Sequence, residues 1–177
     1  MPAIALALLV PMASFAIACG NEEVRSSGEE GEFIKAGPAV YQVQLTRLLN
    51  PRTRPDDTYL RGQVPPPSSE QYLAVFLRIE NKGDTLYKPP RDMKVIDTQG
   101  NEYLPLDATQ SGFGLDFGNG IPPKDEAPPP NSPAAEGPNA GAMVLFRVKN
   151  DSATNNLPME LEIPTGPKTS SSIGLDI

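Results

Sequence analysis

Residues 71–81 decide the fold of this chain, and they read QYLAVFLRIEN. Leucine, valine or isoleucine occupies every odd position from 73 to 79. Successive side chains of an extended chain point to opposite faces, so these apolar side chains share one face. The even positions carry Tyr72, Ala74 and Phe76 before they become charged. The pattern therefore predicts a β-strand at the centre of a sheet.

Shorter runs on both sides of this strand show the same alternation. Prolines and glycine-containing turns separate them, and none has the period of 3.6 residues that is typical of a helix. A turn at Gly100 joins two of the runs into a predicted hairpin. About seven or eight such strands predict an all-β fold, an antiparallel β-sandwich. The further predicted strands cover residues 40–47, 85–88, 93–97, 102–106, 141–148, 158–163 and 171–177.

The alternation is interrupted by residues 107–139, which hold seven prolines and five glycines. Loops of this length inside a compact domain are usually functional or disordered. The sequence thus predicts a long Pro/Gly-rich loop within the sandwich.

The first eighteen residues differ from the rest of the chain. Residues 3–18 carry no charge, and as a helix they would be roughly 24 Å long, short of the roughly 30 Å hydrocarbon core of a bilayer. They predict a signal peptide over residues 1–18. Two kinds of cleavage are open, and both end at Ala18. One is plain secretion, since Ala16 and Ala18 suit the general signal peptidase; the other is lipoprotein processing.

Cys19 is the only cysteine of the chain. It follows small residues in a stretch, residues 15–20, that resembles the bacterial lipobox. That resemblance implies that Cys19 becomes the first mature residue and that its thiol carries a diacylglyceryl group. An unmodified cysteine would be an unpaired reactive thiol in an exported protein. Two acyl chains hold a protein stably on a membrane, so we expect a lipid-anchored protein on the extracytoplasmic face of the cell membrane.

Residues 19–38 are rich in glycine, serine and glutamate. Such a segment buries too little apolar surface to fold alone. As a flexible coil, residues 20–37 would span on the order of 24 Å. We therefore predict a lipid-anchored flexible linker over residues 19–38 and a β-sandwich domain over residues 39–177.

The overall composition excludes several function classes. The net charge of −7 gives no general attraction to nucleic acid or to anionic membrane surfaces. Histidine is absent, which removes Ser-His-Asp and Cys-His catalysis and the commonest zinc ligand. We predict no catalytic residue and no cofactor.

Acidic side chains of the long loop are candidate calcium ligands, because calcium takes loop carboxylates and backbone carbonyls. The alternative is a merely acidic loop, since the spacing is wider than in a known calcium loop. The candidates are Asp107, Asp116, Asp125 and Glu126.

Two further stretches are candidate binding surfaces. Phe113 and Phe117 alternate with glycine and could face a partner, or they could pack back onto the sandwich and hold the loop. Arg52 and Arg54 lie in an arginine-bearing loop that could grip a phosphate or carboxylate of a wall polymer. The alternative for the arginines is neutralisation by the neighbouring aspartates.

Three segments together resemble a known family. They are YQVQL at residues 41–45, YLAVFLRIENKGD at residues 72–84 and MKVIDTQGNEY at residues 93–103. They are similar to the immunoglobulin-like domain of uncharacterised bacterial surface lipoproteins. The resemblance implies a lipobox, a low-complexity linker and an immunoglobulin-like sandwich. It implies no catalytic residues.

These observations predict a membrane-anchored extracytoplasmic lipoprotein with a non-enzymatic, immunoglobulin-like interaction or display module. Its partners would be the membrane, through the lipid on Cys19, and an envelope protein or wall polymer. The alternative is an extracytoplasmic receptor for a solute or calcium that uses residues 107–139. A carboxylate-based enzyme is a third alternative, and it would need a buried acid with a raised pKa.

Overall fold

The computed structural model describes residues 26–177, which form ten β-strands in two five-stranded sheets. The predicted signal peptide and Cys19 lie outside the described residues. In the first sheet the order is β1 (Ser27–Glu29), β10 (Thr169–Leu175), β9 (Met159–Gly166), β5 (Lys94–Ile96) and β6 (Glu102–Tyr103). The second sheet contains β2 (Ile34–Ala36), β3 (Ala39–Leu49), β4 (Glu70–Asn81), β7 (Glu126–Ala127) and β8 (Ala142–Lys149).

The predicted central strand is confirmed as β4. It pairs with β3 along one edge, and on the other edge with β8 and then with β7. The predicted hairpin at Gly100 is confirmed as the antiparallel pair β5 and β6. Runs predicted from alternation correspond to β3, β8, β9 and β10.

The odd positions of β4 lie between the two sheets, as their spacing predicts. Leu73, Val75, Leu77 and Ile79 are each fully buried. Facing side chains of the first sheet, Leu161 among them, complete the same cluster. We call this cluster the inter-sheet core, and it makes the fold a β-sandwich.

The even positions of β4 are buried as well, on the opposite face of the same sheet. Phe76 packs in a second cluster that the loops before and after β4 close. We call it the outer cluster, and its buried members are Leu49, Tyr59, Leu60, Tyr72, Ala74, Phe76, Ala108, Met143 and Leu145.

The prediction of a purely antiparallel sandwich is wrong, because β1 runs parallel to β10. The described part of the predicted flexible linker over residues 19–38 is ordered, because it contains β1 and β2, which pair with β10 and β3. Glu30 fixes this segment, since its carboxylate accepts hydrogen bonds from the backbone N–H groups of Thr46 (3.0 Å) and Asp176 (3.1 Å). Ile34 is only 1% exposed and adds burial that composition did not reveal.

Local structure differs from the prediction at three further places. The strand predicted over residues 85–88 is reduced to a single bridge between Tyr87 and Ile121, because Pro89 and Pro90 cannot donate to a ladder. The described residues hold ten strands, more than the seven or eight expected. The additional strands β1, β2 and β7 have only two or three residues each, too few for an alternating pattern to show. One-turn helices occur at α1 (Asp56–Tyr59) and α2 (Pro133–Glu136), and a 3₁₀ turn at Thr109–Ser111.

Candidate functional site

The long loop, residues 107–139, is ordered along the free edge of β8. Backbone hydrogen bonds run from Leu115 N to Met143 O (2.8 Å) and from Met143 N to Phe113 O (2.8 Å). Just before the loop, Leu106 N donates to Leu145 O (2.7 Å). An exposed strand edge would leave such groups unpaired. The loop therefore covers both the edge of β8 and the outer cluster.

Phe113 and Phe117 are half-buried, and both rings contact the domain. The ring centres of Phe113 and Tyr59 lie 4.6 Å apart, and those of Tyr59 and Phe76 lie 5.3 Å apart. Phe117 packs against the inter-sheet core, and the guanidinium of Arg91 lies 5.6 Å from its ring centre. Of the two alternatives predicted for these phenylalanines, the contacts are those of packing onto the sandwich.

Two of the candidate calcium ligands instead fold the loop locally. The Asp107 carboxylate accepts from Thr109 N (3.0 Å) and Thr109 Oγ1 (2.7 Å). Asp116 accepts from Gly118 N (2.7 Å) and from Asn119 N (3.2 Å). These backbone donors lower the pKa of both carboxyl groups below the usual value.

The other two candidates bond elsewhere. Glu126 forms an ion pair with Arg78 (2.6 Å), and Asp125 accepts from the N–H of Glu126 (2.8 Å). Within residues 26–177, no three or more acidic or cysteine side chains are grouped so that they could hold a metal ion. The structure thus does not bring the four predicted ligands together.

The arginine-bearing loop after β3 is held by a buried carboxylate. Asp56, at the start of α1, accepts from Arg47 Nη2 (2.6 Å) and from the backbone N–H of Asn50 (2.9 Å). Its side chain is only 6% exposed. Sequence reasoning counted Asp56 only among the aspartates that could neutralise the loop, because its position between Pro55 and a second aspartate carries no local signal of burial.

Arg52 and Arg54, the arginines predicted to bind, remain exposed. Arg54 lies 3.6 Å from Asp57, and this pair is the neutralisation that the alternative predicts. Arg52 forms no ion pair with any described residue and lines an open groove of about 380 Å³ with Leu48 and residues 65–67, three consecutive prolines. This groove offers the guanidinium of Arg52 beside an apolar wall, and its other charged group, Glu70, is paired with Arg147 (2.9 Å).

A charged cleft at the end of β4 was missed by sequence reasoning. Arg78 bridges Glu80 (3.1 Å) and Glu126 (2.6 Å), and Lys82 pairs with Glu80. Lys124 donates to the carbonyl of Lys82 (2.7 Å). The cleft measures about 450 Å³, and its charges largely satisfy one another. The signal was visible in β4, where even positions change from aromatic to charged after Phe76.

The chain matches no protein-family model and no curated protein. In residues 26–177 no helix is long and apolar enough to cross a membrane.

Two solved structures share the architecture. One is an uncharacterized β-sandwich protein from Clostridium difficile 630, with 15% identity, a TM-score of 0.52, and coverage of 89% of this chain and 99% of that chain. The other is the yjhA protein from Bacillus subtilis, with 13% identity, a TM-score of 0.53, and coverage of 84% of this chain and 99% of that chain. At these identities the likeness concerns the fold alone, and the described chain is a β-sandwich of the kind seen in these proteins.

Proposed function

We propose that this chain is an exported lipoprotein that a lipid on Cys19 anchors to the extracytoplasmic face of a membrane. Its β-sandwich serves as a non-enzymatic module for interaction or display. The uncharged leader over residues 3–18 and the single cysteine after small residues support export and lipidation.

The observation that carries the proposal is the position of β1, which begins at Ser27, eight residues after Cys19. The chain enters a folded sheet edge almost at once, instead of after the linker that composition predicts over residues 19–38. The residues from Cys19 to Ser26 span at most about 25 Å when fully extended. A lipid on Cys19 would therefore hold the sandwich close to the bilayer, where it meets partners of the envelope.

The polar residues of the loops support a binding role over a catalytic one. Asp107 and Asp116 bond to their own turns, and Asp56 is used by Arg47. Asp56 also accepts from the backbone N–H of Asn50, a residue that lines the groove beside Arg52. A guanidinium next to an apolar wall suits a carboxylate or phosphate of a wall polymer, or an acidic segment of an envelope protein.

The test is the intact mass of the mature N-terminus, measured in membrane and medium fractions and compared with a Cys19→Ala variant. We expect a chain that begins at Cys19 and carries the mass of a diacylglyceryl group in the membrane fraction. The Cys19→Ala chain should lose that mass. A soluble wild-type chain with an unmodified Cys19, or with another start, would contradict the proposal.

A further inference from the structure

The end of the sandwich at which residue 26 leads into β1 also holds two turns. Ser172 N donates to Ser26 O (3.1 Å), and the turn between β9 and β10 lies just beyond, since Thr169 pairs with Gly166. Ser171 Oγ donates to the carbonyl of Lys35 (2.7 Å), which brings the turn between β2 and β3 to the same place. We call this the proximal end.

The end of β4 and the segment before β7 belong to the proximal end as well. Lys82 N donates to Pro38 O (3.0 Å) in the turn between β2 and β3. Asn81 N donates to Asp125 O (2.9 Å), which adds residues 122–125. Lys94, the first residue of β5, lies opposite Glu162 in the ladder between β5 and β9. From Glu162, β9 runs towards its turn with β10. Residues 88–92, which precede β5, therefore lie at this end too. The proximal end therefore comprises residues 35–38, 82–92, 122–125 and 166–168.

Basic side chains are concentrated on these turns. The chain has seven lysines, and five of them lie at the proximal end together with Arg91, all exposed. Three acidic side chains accompany them, and one of these, Asp84, is paired with Lys124 (2.9 Å). The five lysines are Lys35, Lys82, Lys88, Lys124 and Lys168, and the three acids are Asp84, Asp92 and Asp125.

Three of these lysines form no ion pair with another described side chain. Lys35, Lys88 and Lys168 form no ion pair with any described residue, whereas Lys82 is paired with Glu80. Leu86 is 53% exposed between Lys82 and Lys88. An apolar side chain among lysines suits the boundary between lipid headgroups and acyl chains.

We propose that the proximal end is a docking surface for anionic phospholipid headgroups of the membrane that holds the chain. This inference rests on the proposed function, because the lipid on Cys19 would keep the surface within about 25 Å of the bilayer. Tethering at that distance raises the effective concentration of headgroups, so weak contacts suffice. Each basic side chain near an anionic surface contributes roughly fivefold in affinity.

The overall charge of −7 hides this surface, because most of the acidic side chains lie outside its turns. Glu102 and Glu162, which lie beside Lys168, are paired with Lys94. Glu29, Glu30 and Asp176 gather at the opposite ends of β1 and β10. Docking would therefore orient the sandwich. The proximal end would face the lipid, and the turn between β5 and β6, at Gly100, would face away from it.

The first test is acylation of lysines by a membrane-impermeant amine reagent, applied to the full chain in host membranes and again after detergent extraction. We expect Lys35, Lys88 and Lys168 to react at least about threefold more slowly in membranes, and Lys149, at the far end of β8, to react equally in both. Raising the salt to about 1 M shortens the Debye length to roughly 3 Å. It should abolish the protection without releasing the chain.

Equal labelling of all four lysines in membranes and in detergent would overturn the docking surface, but it would not contradict the lipid anchor on Cys19. Protection that disappears when the cell wall is digested would assign the surface to a wall polymer and also overturn the inference.

The second test removes the dependence on the anchor. The mature chain, residues 19–177 carrying Cys19→Ala, is mixed with phosphatidylglycerol vesicles and with phosphatidylcholine vesicles. We expect Lys35→Glu, Lys88→Glu and Lys168→Glu together to weaken binding to phosphatidylglycerol vesicles by at least about tenfold. The control triple, Arg54→Glu, Arg61→Glu and Lys149→Glu, changes the charge equally at exposed positions beyond the opposite ends of β3 and β8, and it leaves Arg52 in place. Equal losses in the two triples would show that net charge alone acts and would overturn the inference, even if Cys19 proves to carry no lipid.

Discussion

The second sheet is apolar on both faces, but the two faces are covered in different ways. The first sheet covers one face, and its strands complete their own ladders. Two loops cover the other face, and they depend on a few anchors such as Asp56 and Phe113. The side chains on the two faces are therefore equally buried, but a hydrogen-bonded sheet covers one face and loops cover the other. We expect the inter-sheet core to determine global stability and the outer cluster to determine whether the loops stay in place.

The strongest test of this comparison truncates the inter-sheet core. Leu77→Ala removes a fully buried side chain of β4 and should cost about 2–5 kcal/mol, because it leaves a cavity. Urea unfolding measures the loss, which should appear as one cooperative transition. Leu104→Ala is the control, since Leu104 is 61% exposed. If the two variants lost equal stability, the inter-sheet core would not be the main support.

The next test releases the loop after β3. Asp56→Ala leaves Arg47 and the N–H of Asn50 without their buried acceptor and should cost about 2 kcal/mol. Asp57→Ala is a matched control one residue away, because Asp57 has only exposed contacts, with Arg54 and with the neighbouring Thr58 hydroxyl, and it should change stability by less than about 0.5 kcal/mol. Urea unfolding measures both variants. Equal effects of the two substitutions would show that the loop does not depend on its buried carboxylate.

A pH titration examines the rim of the inter-sheet core. Burial, with the neighbouring Tyr87, raises the pKa of Tyr41 well above its usual value, and the two hydroxyls lie 2.8 Å apart. The unfolded chain therefore loses this proton first, at a pH of about 10. Stability should be complete below that pH and should fall above it, by up to about 1.4 kcal/mol per pH unit for one group.

Thermal melting from pH 8 to pH 11 measures this dependence, with Tyr41→Phe as the comparison. The variant has no ionisable group at this position, so its melting temperature should fall less steeply above pH 10. Parallel curves for the wild type and the variant would mean that the buried pair does not cause the alkaline loss.

A smaller effect is expected from the outer cluster. Phe113→Ala removes a half-buried ring from Tyr59 and should cost about 1 kcal/mol, since only part of its area is buried. Its main effect should be local: hydrogen exchange in residues 107–139 should rise about tenfold or more, while exchange in β4 stays unchanged. Faster exchange in β4 to the same extent would show that the two clusters unfold as one unit.

The strands of this fold were largely predictable because alternation is a local property. β3, β4, β8, β9 and β10 each carry their own apolar spacing. The short strand β1 was not predictable, because this Gly- and Glu-rich segment pairs with partners such as Ser172, more than one hundred residues away. β2 pairs with the neighbouring β3, but it is only three residues long, which is too short for alternation to show.

The candidate sites show the same limit. Tyr72, Ala74 and Phe76 indicated a second apolar face, but which segment covers it depends on contacts distant in sequence. Aspartates that share a loop were candidates for one ion because sequence gives their order and not their orientation. In the structure each turns towards the nearest backbone N–H instead, as Asp107 and Asp116 do.

Calcium provides the last test of what holds the loop over the outer cluster. The alternative function predicted from the sequence uses residues 107–139 to bind this ion, and binding only to the native state must raise the melting temperature. The carboxylates of Asp107 and Asp116 already accept backbone hydrogen bonds, and Glu126 is paired with Arg78. We therefore expect calcium in the millimolar range, or a chelator, to shift the melting temperature no more than magnesium does. A shift specific to calcium that Asp116→Asn abolishes would mean that an ion, and not Phe113 with its backbone contacts, fixes the loop. The outer cluster would then depend on a ligand that the inter-sheet core does not need.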